Sequence, residues 1–244
     1  MDIDQRTEKV ALVTGGNRGL GFECCRQLAG MGCHVFLAAR TLSSAREAAG
    51  NIHGGAITPI ELDVTSHTSV SAAATALAAL VPRLDILINN AGIYPEKDDQ
   101  TTELSPATLS LALETNVVGV HRVIQECLPL LKAAPAARIV NVSSGLGSFA
   151  YCAEPDGDFA SYIGTGYGTS KAALNMLTAT WAKAFAGTPI KVNAVSPGWC
   201  RTDMGGSGAP RSPAQGAATL LKYAFLDEDD PNGRFLGEDG EIPW

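Results

Sequence analysis

The chain has 244 residues, of which 45% are apolar, and a formal net charge of −7. Its length suits one α/β domain with a sizeable core, and no apolar run approaches the roughly 18 residues of a membrane span. The acidic balance argues against a nucleic-acid partner, which would favour a basic surface.

Signals for disulfides, metals and secretion are missing from the sequence. The six cysteines show no Cys-x-x-Cys spacing, which indicates reduced thiols that serve packing. The four histidines form no ligand motif, so we expect no catalytic metal. Because Met1–Arg6 is charged and lacks the apolar centre of a secretory signal, we expect a cytoplasmic protein with no membrane partner.

Short apolar strands alternate with amphipathic helices along the chain. The strand candidates are Val10–Thr14, His34–Ala39, Ile57–Glu61, Ile86–Asn89, Arg138–Asn141, Lys191–Val195 and, weakly, Arg234–Leu236. The helix candidates are Leu20–Met31, Ser44–Ala49, Ser69–Leu80, Pro106–Leu131, Gly168–Phe185 and Pro213–Phe225. The loop-like stretches are Tyr94–Thr101, Tyr151–Gly166, Gly205–Pro213 and Asp227–Trp244. This alternation predicts a single-domain, Rossmann-like α/β fold over residues 1–244, a doubly wound parallel sheet with helices on both faces.

The first strand leads directly into a glycine-rich turn, Gly15–Gly21, which opens a helix. Strand, glycine turn and helix is the arrangement in which a helix N-terminus meets a pyrophosphate. The spacing is Gly-x-x-x-Gly-x-Gly rather than the dinucleotide fingerprint, and it lacks the Lys-Ser/Thr ending of a P-loop. An ordinary glycine-rich turn therefore remains an alternative.

Tyr167 and Lys171 stand four residues apart, so they share one face of the predicted helix. A phenol titrates near pH 10, and lowering its pKa to about 7 requires about 4 kcal/mol. A unit charge about 4 Å away supplies about that much at an effective dielectric of about 20. The pair is a candidate general acid/base, although the same spacing is common in helices without function.

These motifs, in this order over nearly the whole chain, resemble the short-chain dehydrogenase/reductase family and, within it, the NADPH-dependent carbonyl reductase branch. The resemblance rests on Thr14–Gly21, Leu62–Val64, Asn89–Gly92, Thr115–Gly119, Val140–Ser144, Tyr167–Lys171 and Pro197–Met204. It implies the catalytic residues Asn116, Ser144, Tyr167 and Lys171. It also implies cofactor contacts from Gly15, Asn17, Arg18, Gly19, Leu20, Gly21, Asp63, Val64, Asn90, Ala91, Gly92, Tyr167, Lys171, Pro197, Gly198, Cys200 and Thr202.

Charge at the second strand indicates which cofactor is used. An NAD enzyme of this type places an acidic residue about 20 positions past the glycines, to hold the ribose 2′-hydroxyl. Here the strand ends in Ala39 and Arg40 with no acidic residue. Arg40 and Arg18 instead offer guanidinium groups suited to a 2′-phosphate, so we expect NADPH/NADP⁺.

The family's mechanism implies a role for each catalytic residue. Tyr167 protonates the developing alkoxide during hydride transfer, and Lys171 holds down the phenol's pKa and bonds the nicotinamide ribose. Ser144 donates a hydrogen bond to the carbonyl oxygen, and Asn116 positions Lys171 through water. A Ser at a strand end can instead cap a helix, and an Asn inside a helix can bridge a kink.

One departure from the family is the 23-residue separation of Ser144 and Tyr167, which exceeds the family's common gap. Tyr151 and Tyr162 have no Lys at i+4, so Tyr167 remains the predicted catalytic tyrosine. The carbonyl reductase branch is enlarged at this place, which favours that branch. We expect the insert Tyr151–Gly166, whose composition argues against a rigid helix, to border the substrate site; a solvated surface loop is the alternative.

The predicted activity is NADPH-dependent reduction of a small ketone, aldehyde or quinone. The alternatives are a secondary-alcohol or steroid-type dehydrogenase running oxidatively, and a non-catalytic NADP-binding sensor. Both a monomer and a homodimer remain open.

Overall fold

The computed structural model describes residues 9–95, 103–157, 159, 164–227 and 229–244. Within these residues eight strands form one sheet in the order β3-β2-β1-β4-β5-β6-β7-β8. The strands are β1 (Val10–Val13), β2 (His34–Ala39), β3 (Ala56–Glu61), β4 (Ile86–Asn89), β5 (Arg138–Val142), β6 (Lys191–Val195), β7 (Phe235–Gly237) and β8 (Gly240–Glu241). All neighbouring pairs are parallel except β7 and β8.

Helices cover both faces of the sheet. They are α1 (Gly19–Gly30), α2 (Leu42–Gly50), α3 (His67–Leu80), α4 (Pro106–Leu113), α5 (Gly119–Ala133), α6 (Phe149–Ala153), α7 (Thr165–Ala184) and α8 (Pro213–Ala224). One apolar core lies between the sheet and α3, α5 and α7, and a second lies against α1, α2 and α8. This architecture confirms the predicted doubly wound fold. None of the helices in the described residues combines the length and apolarity of a membrane span.

Three elements differ from the sequence-based expectation. The single helix predicted over Pro106–Leu131 is interrupted by a π-helical turn at Glu114–Val118. The antiparallel strand β8 was not expected. The insert was expected to lack a rigid helix, which is wrong for its first residues, because α6 runs from Phe149 to Ala153. The Ser148 hydroxyl accepts a hydrogen bond from Tyr151 N and so caps this short helix.

The predicted acid/base pair lies on α7, which packs one face on the sheet. Leu174 and Phe185 are buried, and Leu177 and Trp181 pack against the same core, because their helical spacing puts them on one face. The parallel strands β1, β4, β5 and β6 all end at one edge. The segments that follow them carry the predicted site residues, and in open α/β sheets ligands bind beyond this edge.

Candidate active site

The glycine-rich turn is closed tightly against the segment that follows β4. Gly15 has a φ of +62°, and a Cβ at Gly21 would lie 2.3 Å from the Gly15 carbonyl oxygen, so the turn requires glycine. The Asn90 amide nitrogen donates to the carbonyl oxygens of Thr14 and Gly15 at 2.9 and 3.0 Å. Asn90 and Ala91 therefore lie directly beside the turn.

Helix α1 presents its N-terminus at this turn. Phe22 N donates to Arg18 O at 3.2 Å, which is an i to i−4 helical hydrogen bond at the start of α1. The Arg18 side chain does not cap the helix. The earlier N–H groups of such a helix have no helical acceptor, and together with the helix dipole they suit an anionic phosphate. The turn therefore fits a dinucleotide pyrophosphate.

The segment that follows β6 packs on the same turn. A Cβ at Gly216 would lie 2.4 Å from Cys200 Sγ, 2.8 Å from Leu20 and 3.3 Å from Pro197. A Cβ at Gly19 would lie 3.3 Å from the Thr202 methyl. The glycine-rich turn, the segment with Asn90 and the segment Pro197–Thr202 therefore meet at one place. All three were predicted to bind the cofactor.

The two arginines predicted to bind a 2′-phosphate stand in different surroundings. The Arg18 guanidinium lies 2.9 Å from an Asp203 carboxylate oxygen, and both side chains are largely exposed. Arg40 is exposed at the end of β2. Gly16 N donates to Ala38 O at 2.7 Å, which brings the glycine-rich turn to the end of that strand.

The predicted adenine segment follows β3. One carboxylate oxygen of Asp63 accepts hydrogen bonds from the backbone N and hydroxyl of Thr65, at 3.0 and 2.8 Å. The Val64 carbonyl accepts from the Arg122 guanidinium. A Cβ at Gly119 would lie 3.0 Å from the Val64 side chain, so this segment packs against the start of α5.

Tyr167 and Lys171 lie together on α7, beside the end of β5. The Lys171 ammonium is 5.4 Å from the centroid of the Tyr167 ring and donates to Val142 O at 2.8 Å. Burial lowers the pKa of Lys171 to about 8, so the group remains mostly protonated at neutral pH. The local helical geometry and the strand end together place a buried cation beside a phenol.

Asn116 lies within the π-helical turn and joins it to the segment after β4. Its side chain accepts from Ile93 N and donates to Ile93 O, each at 2.9 Å. It also donates to the Ser170 hydroxyl at 2.9 Å. A Cβ at Gly92 would lie 3.2 Å from Asn116 Oδ1 and 3.7 Å from Lys171 Nζ. Asn116 and Lys171 therefore flank the same glycine.

Ser144 follows β5, and its hydroxyl accepts a hydrogen bond from Leu146 N at 3.2 Å. This cap holds a 3₁₀ turn, Gly145–Gly147. A Cβ at Gly145 would lie 2.9 Å from the Phe159 ring and 3.7 Å from Tyr151. These two rings stack with centroids 5.6 Å apart. Aromatic side chains of the insert thus lie next to Ser144, while Tyr162 lies outside the described residues.

Two residues at the site were not anticipated from the sequence. The Tyr94 ring stacks on Tyr167 with centroids 4.8 Å apart. Asn175 is buried on α7, one helical turn beyond Lys171. The i, i+4, i+8 spacing of Tyr167, Lys171 and Asn175 was the available signal for Asn175. No local pattern pointed to Tyr94, because its contact joins two distant segments.

Comparisons with known proteins identify the family to which this chain is similar. The model of the short chain dehydrogenase family matches residues 9–211. A short-chain dehydrogenase of Penicillium roqueforti is 36% identical, with 89% of each chain covered. The NADPH carbonyl reductase 1 of Sus scrofa is 33% identical over 97% of this chain and 94% of its own. The structure of NADPH-bound carbonyl reductase from chicken fatty liver superposes with a TM-score of 0.85, at 29% identity and coverages of 97% and 99%.

Proposed function

The chain belongs to the short-chain dehydrogenase/reductase family, and from that premise we propose that it reduces a ketone, aldehyde or quinone carbonyl with NADPH, using Tyr167 as general acid. The family uses nicotinamide cofactors and performs oxidoreductase chemistry. The observation that carries the finer proposal is the buried Lys171 ammonium beside the Tyr167 ring. We take residues 1–244 as one cytoplasmic catalytic domain, monomeric or homodimeric.

The residues around the glycine-rich turn are proposed to hold the cofactor. The α1 N-terminus and its glycines bind the pyrophosphate, and Arg18 and Arg40 bind the 2′-phosphate. Asp63 and Val64 contact the adenine, while Asn90 and Pro197–Thr202 hold the nicotinamide half. When bound by these residues, the cofactor would supply the hydride for the substrate carbonyl carbon.

Tyr167 and Ser144 act on the carbonyl oxygen. The Lys171 ammonium favours the phenolate form of Tyr167, so the phenol gives up its proton readily as negative charge develops on that oxygen. The Ser144 hydroxyl accepts from Leu146 N, which leaves its own O–H available to donate to the same oxygen. Such a donor stabilises the transition state more than the ground state.

Asn116 is proposed to support return of a proton to Tyr167. Its carboxamide oxygen and the Lys171 ammonium both lie near Gly92, and we propose that they are joined through water. Because Ile93 and Ser170 fix both ends of the carboxamide, Asn116 is held in one orientation. After Tyr167 has given up its proton, Lys171 gives a proton to the Tyr167 phenolate and regains one from this water.

Two alternatives make different demands on the residues. An oxidative secondary-alcohol dehydrogenase using NAD would favour an acidic residue after Ala39, where Arg40 stands. A sensor that binds the dinucleotide without turning it over needs neither Tyr167 nor Lys171. Both are present, which favours catalysis, and Arg40 in place of an acidic residue favours NADPH and the reductive direction.

The test is NADPH consumption by the purified protein against a panel of ketones, aldehydes and quinones, with NADH in parallel. We expect turnover of at least one carbonyl class and a clear preference for NADPH. Tight NADPH binding without turnover of any carbonyl would favour the sensor. Turnover only of secondary alcohols with NAD⁺ would favour the oxidative dehydrogenase.

A further inference from the structure

Helix α7 carries a third buried polar residue in line with the acid/base pair. Tyr167, Lys171 and Asn175 follow each other at four-residue intervals on the face that meets the end of β5. Asn175 Oδ1 accepts from the Ser143 hydroxyl at 2.6 Å. Asn175 Nδ2 donates to Gly147 O at 3.2 Å. One carboxamide therefore uses its acceptor and its donor on two points of a single segment.

Those two points bracket Ser144. Ser143 precedes it directly, and Gly147 ends the 3₁₀ turn that the Ser144 hydroxyl caps. Gly147 N also donates to Ser144 O at 2.9 Å. The Asn175 side chain is therefore hydrogen-bonded to the residue before Ser144 and to the last residue of the turn after it. A shift of Asn175 would shift Ser144 as well.

The clamp also lies close to the lysine. A Cβ at Gly147 would lie 2.7 Å from the carbonyl carbon of Lys171, so the turn packs directly on the α7 backbone. Asn175 is 3% exposed and Ser143 is 2% exposed, and buried polar groups of this kind are costly unless they are paired. Their hydrogen bonds tie the strand end to the helix that carries Tyr167 and Lys171.

We propose that Asn175 is a positioning residue that holds the Ser144 hydroxyl in register with the Tyr167 phenol, an inference that rests on the proposed carbonyl reduction. Ser144 and Tyr167 act on one oxygen atom, so their separation has to be held within a fraction of an ångström. Ser144 lies on a turn after β5, and Tyr167 lies on α7. Asn175 is a side-chain link between the two, made through Ser143 and Gly147.

The test compares Asn175→Leu in the wild-type and Ser144→Ala backgrounds. In the wild-type background we expect kcat to fall by about ten- to a hundredfold, because a displaced oxyanion donor loses part of the roughly 10²–10³-fold effect of such a group. In the Ser144→Ala background the same change should lower kcat by less than about threefold, since there is no hydroxyl left to position. NADPH affinity should be unchanged in all variants.

Milder variants cover the case in which Asn175→Leu does not fold. Ser143→Ala removes one end of the clamp and should lower kcat about three- to tenfold, and Ser143→Thr, which keeps the hydroxyl, should restore most of it. Thr178→Val is the matched control. Thr178 is also buried on α7 and accepts from Asn141 Nδ2 at 2.9 Å, but it makes none of the contacts that bracket Ser144. Loss of the Thr178 hydroxyl should lower thermal stability and leave kcat unchanged.

The outcomes separate this inference from the function on which it rests. If the wild-type protein reduces no carbonyl, the proposed function fails and the inference falls with it. If the wild-type protein is active but Asn175→Leu or Ser143→Ala lowers kcat equally with and without Ser144, the residue has a general structural role and only this inference is overturned.

Discussion

The ring of Tyr94 stacks on the ring of Tyr167, with centroids 4.8 Å apart and planes inclined by 30°. Tyr94 lies four residues after Asn90, on the segment that leaves β4, whereas Tyr167 lies in the first turn of α7. The contact restricts the tilt of the phenol that is proposed to protonate the substrate, and it places an aromatic side chain beside that phenol.

Replacement of Tyr94 should therefore affect catalysis through the ring rather than the hydroxyl. Aromatic pairs contribute about 0.5–1.5 kcal/mol, so Tyr94→Ala should lower kcat/KM for carbonyl substrates about two- to tenfold. Tyr94→Phe keeps the stack and should stay close to wild type. Steady-state kinetics at saturating NADPH measure both variants. Equal losses in the two would mean that the hydroxyl, and not the stacked ring, is what matters.

Tyr167→Phe should abolish carbonyl reduction while NADPH binding stays nearly intact. The phenylalanine ring fills the same space, but the proton donor is gone. Turnover is measured by steady-state kinetics, and cofactor binding is measured by nicotinamide fluorescence on the same preparation. Turnover above a few per cent of wild type would remove Tyr167 from the proposed role. Lys171→Ala, in comparison, should reduce both turnover and cofactor affinity, since Lys171 is proposed to serve both.

The buried ammonium of Lys171 should make stability depend on pH. Burial lowers its pKa from 10.5 to about 8, which corresponds to about 3 kcal/mol. Below pH 8 the amine is charged in the folded and unfolded states, so folding bears the full cost of burying the charge. Above pH 10.5 it is neutral in both states and that cost is absent.

Lys171→Met removes this titration and gives a direct measurement. Without cofactor, the unfolding free energy of wild type minus that of Lys171→Met should rise by about 3 kcal/mol between pH 8 and 10.5. Chemical denaturation of both proteins across that range measures the difference. A constant difference would show that Lys171 titrates normally. Lys183→Met, at the more exposed end of α7, is the matched control for replacing a lysine of this helix by methionine.

Arg18 and Arg40 should determine selectivity between the two nicotinamide cofactors. Replacing either by Gln should weaken NADPH binding about ten- to a hundredfold, because each loses a charge-assisted contact of about 1.5–3 kcal/mol. NADH affinity should change little. Dissociation constants for both cofactors test this, and equal losses for NADPH and NADH would exclude binding of the 2′-phosphate by these residues.

The ion pair of Arg18 with Asp203 supplies a control of opposite sign. Both side chains are exposed, so the pair contributes at most about 1 kcal/mol. Asp203→Asn frees the guanidinium and removes a negative charge near the phosphates, and it should tighten NADPH binding by up to about fivefold. The effect should diminish in high salt.

The insert should determine which carbonyl compounds are accepted. Tyr151 and Phe159 stack against each other beside Gly145, one residue from Ser144. Replacing Tyr151–Gly166 with a short Gly/Ser loop should change the ranking of ketone substrates while NADPH affinity is retained. The double change Tyr151→Ser and Phe159→Ser should alter the ranking in the same direction. An unchanged ranking in both would assign the segment to the solvated surface.

Local patterns in the sequence were sufficient for the architecture and for one half of the site. The alternation of apolar strands and helices predicted the parallel sheet, because the strands of such a sheet are covered by helices on both faces and are therefore apolar throughout. The four-residue spacing of Tyr167 and Lys171 predicted their proximity, because an α-helix places such residues on one face whatever surrounds it. The segments carrying Asn90, Ser144 and Pro197 each follow a predicted strand, and parallel strands end together at one edge of a sheet.

Contacts between distant segments were decided only by the tertiary structure. Ser143 and Asn175 are 32 residues apart, and Arg18 and Asp203 are 185 apart. No periodicity links such residues; they meet because the sheet order brings the ends of β1, β5 and β6 beside α1 and α7. The burial that lowers the pKa of Lys171 arises in the same way. The sequence determined which groups are present and how each helix orients them, while the packing of the layers decided which of them share a hydrogen bond or a low-dielectric environment.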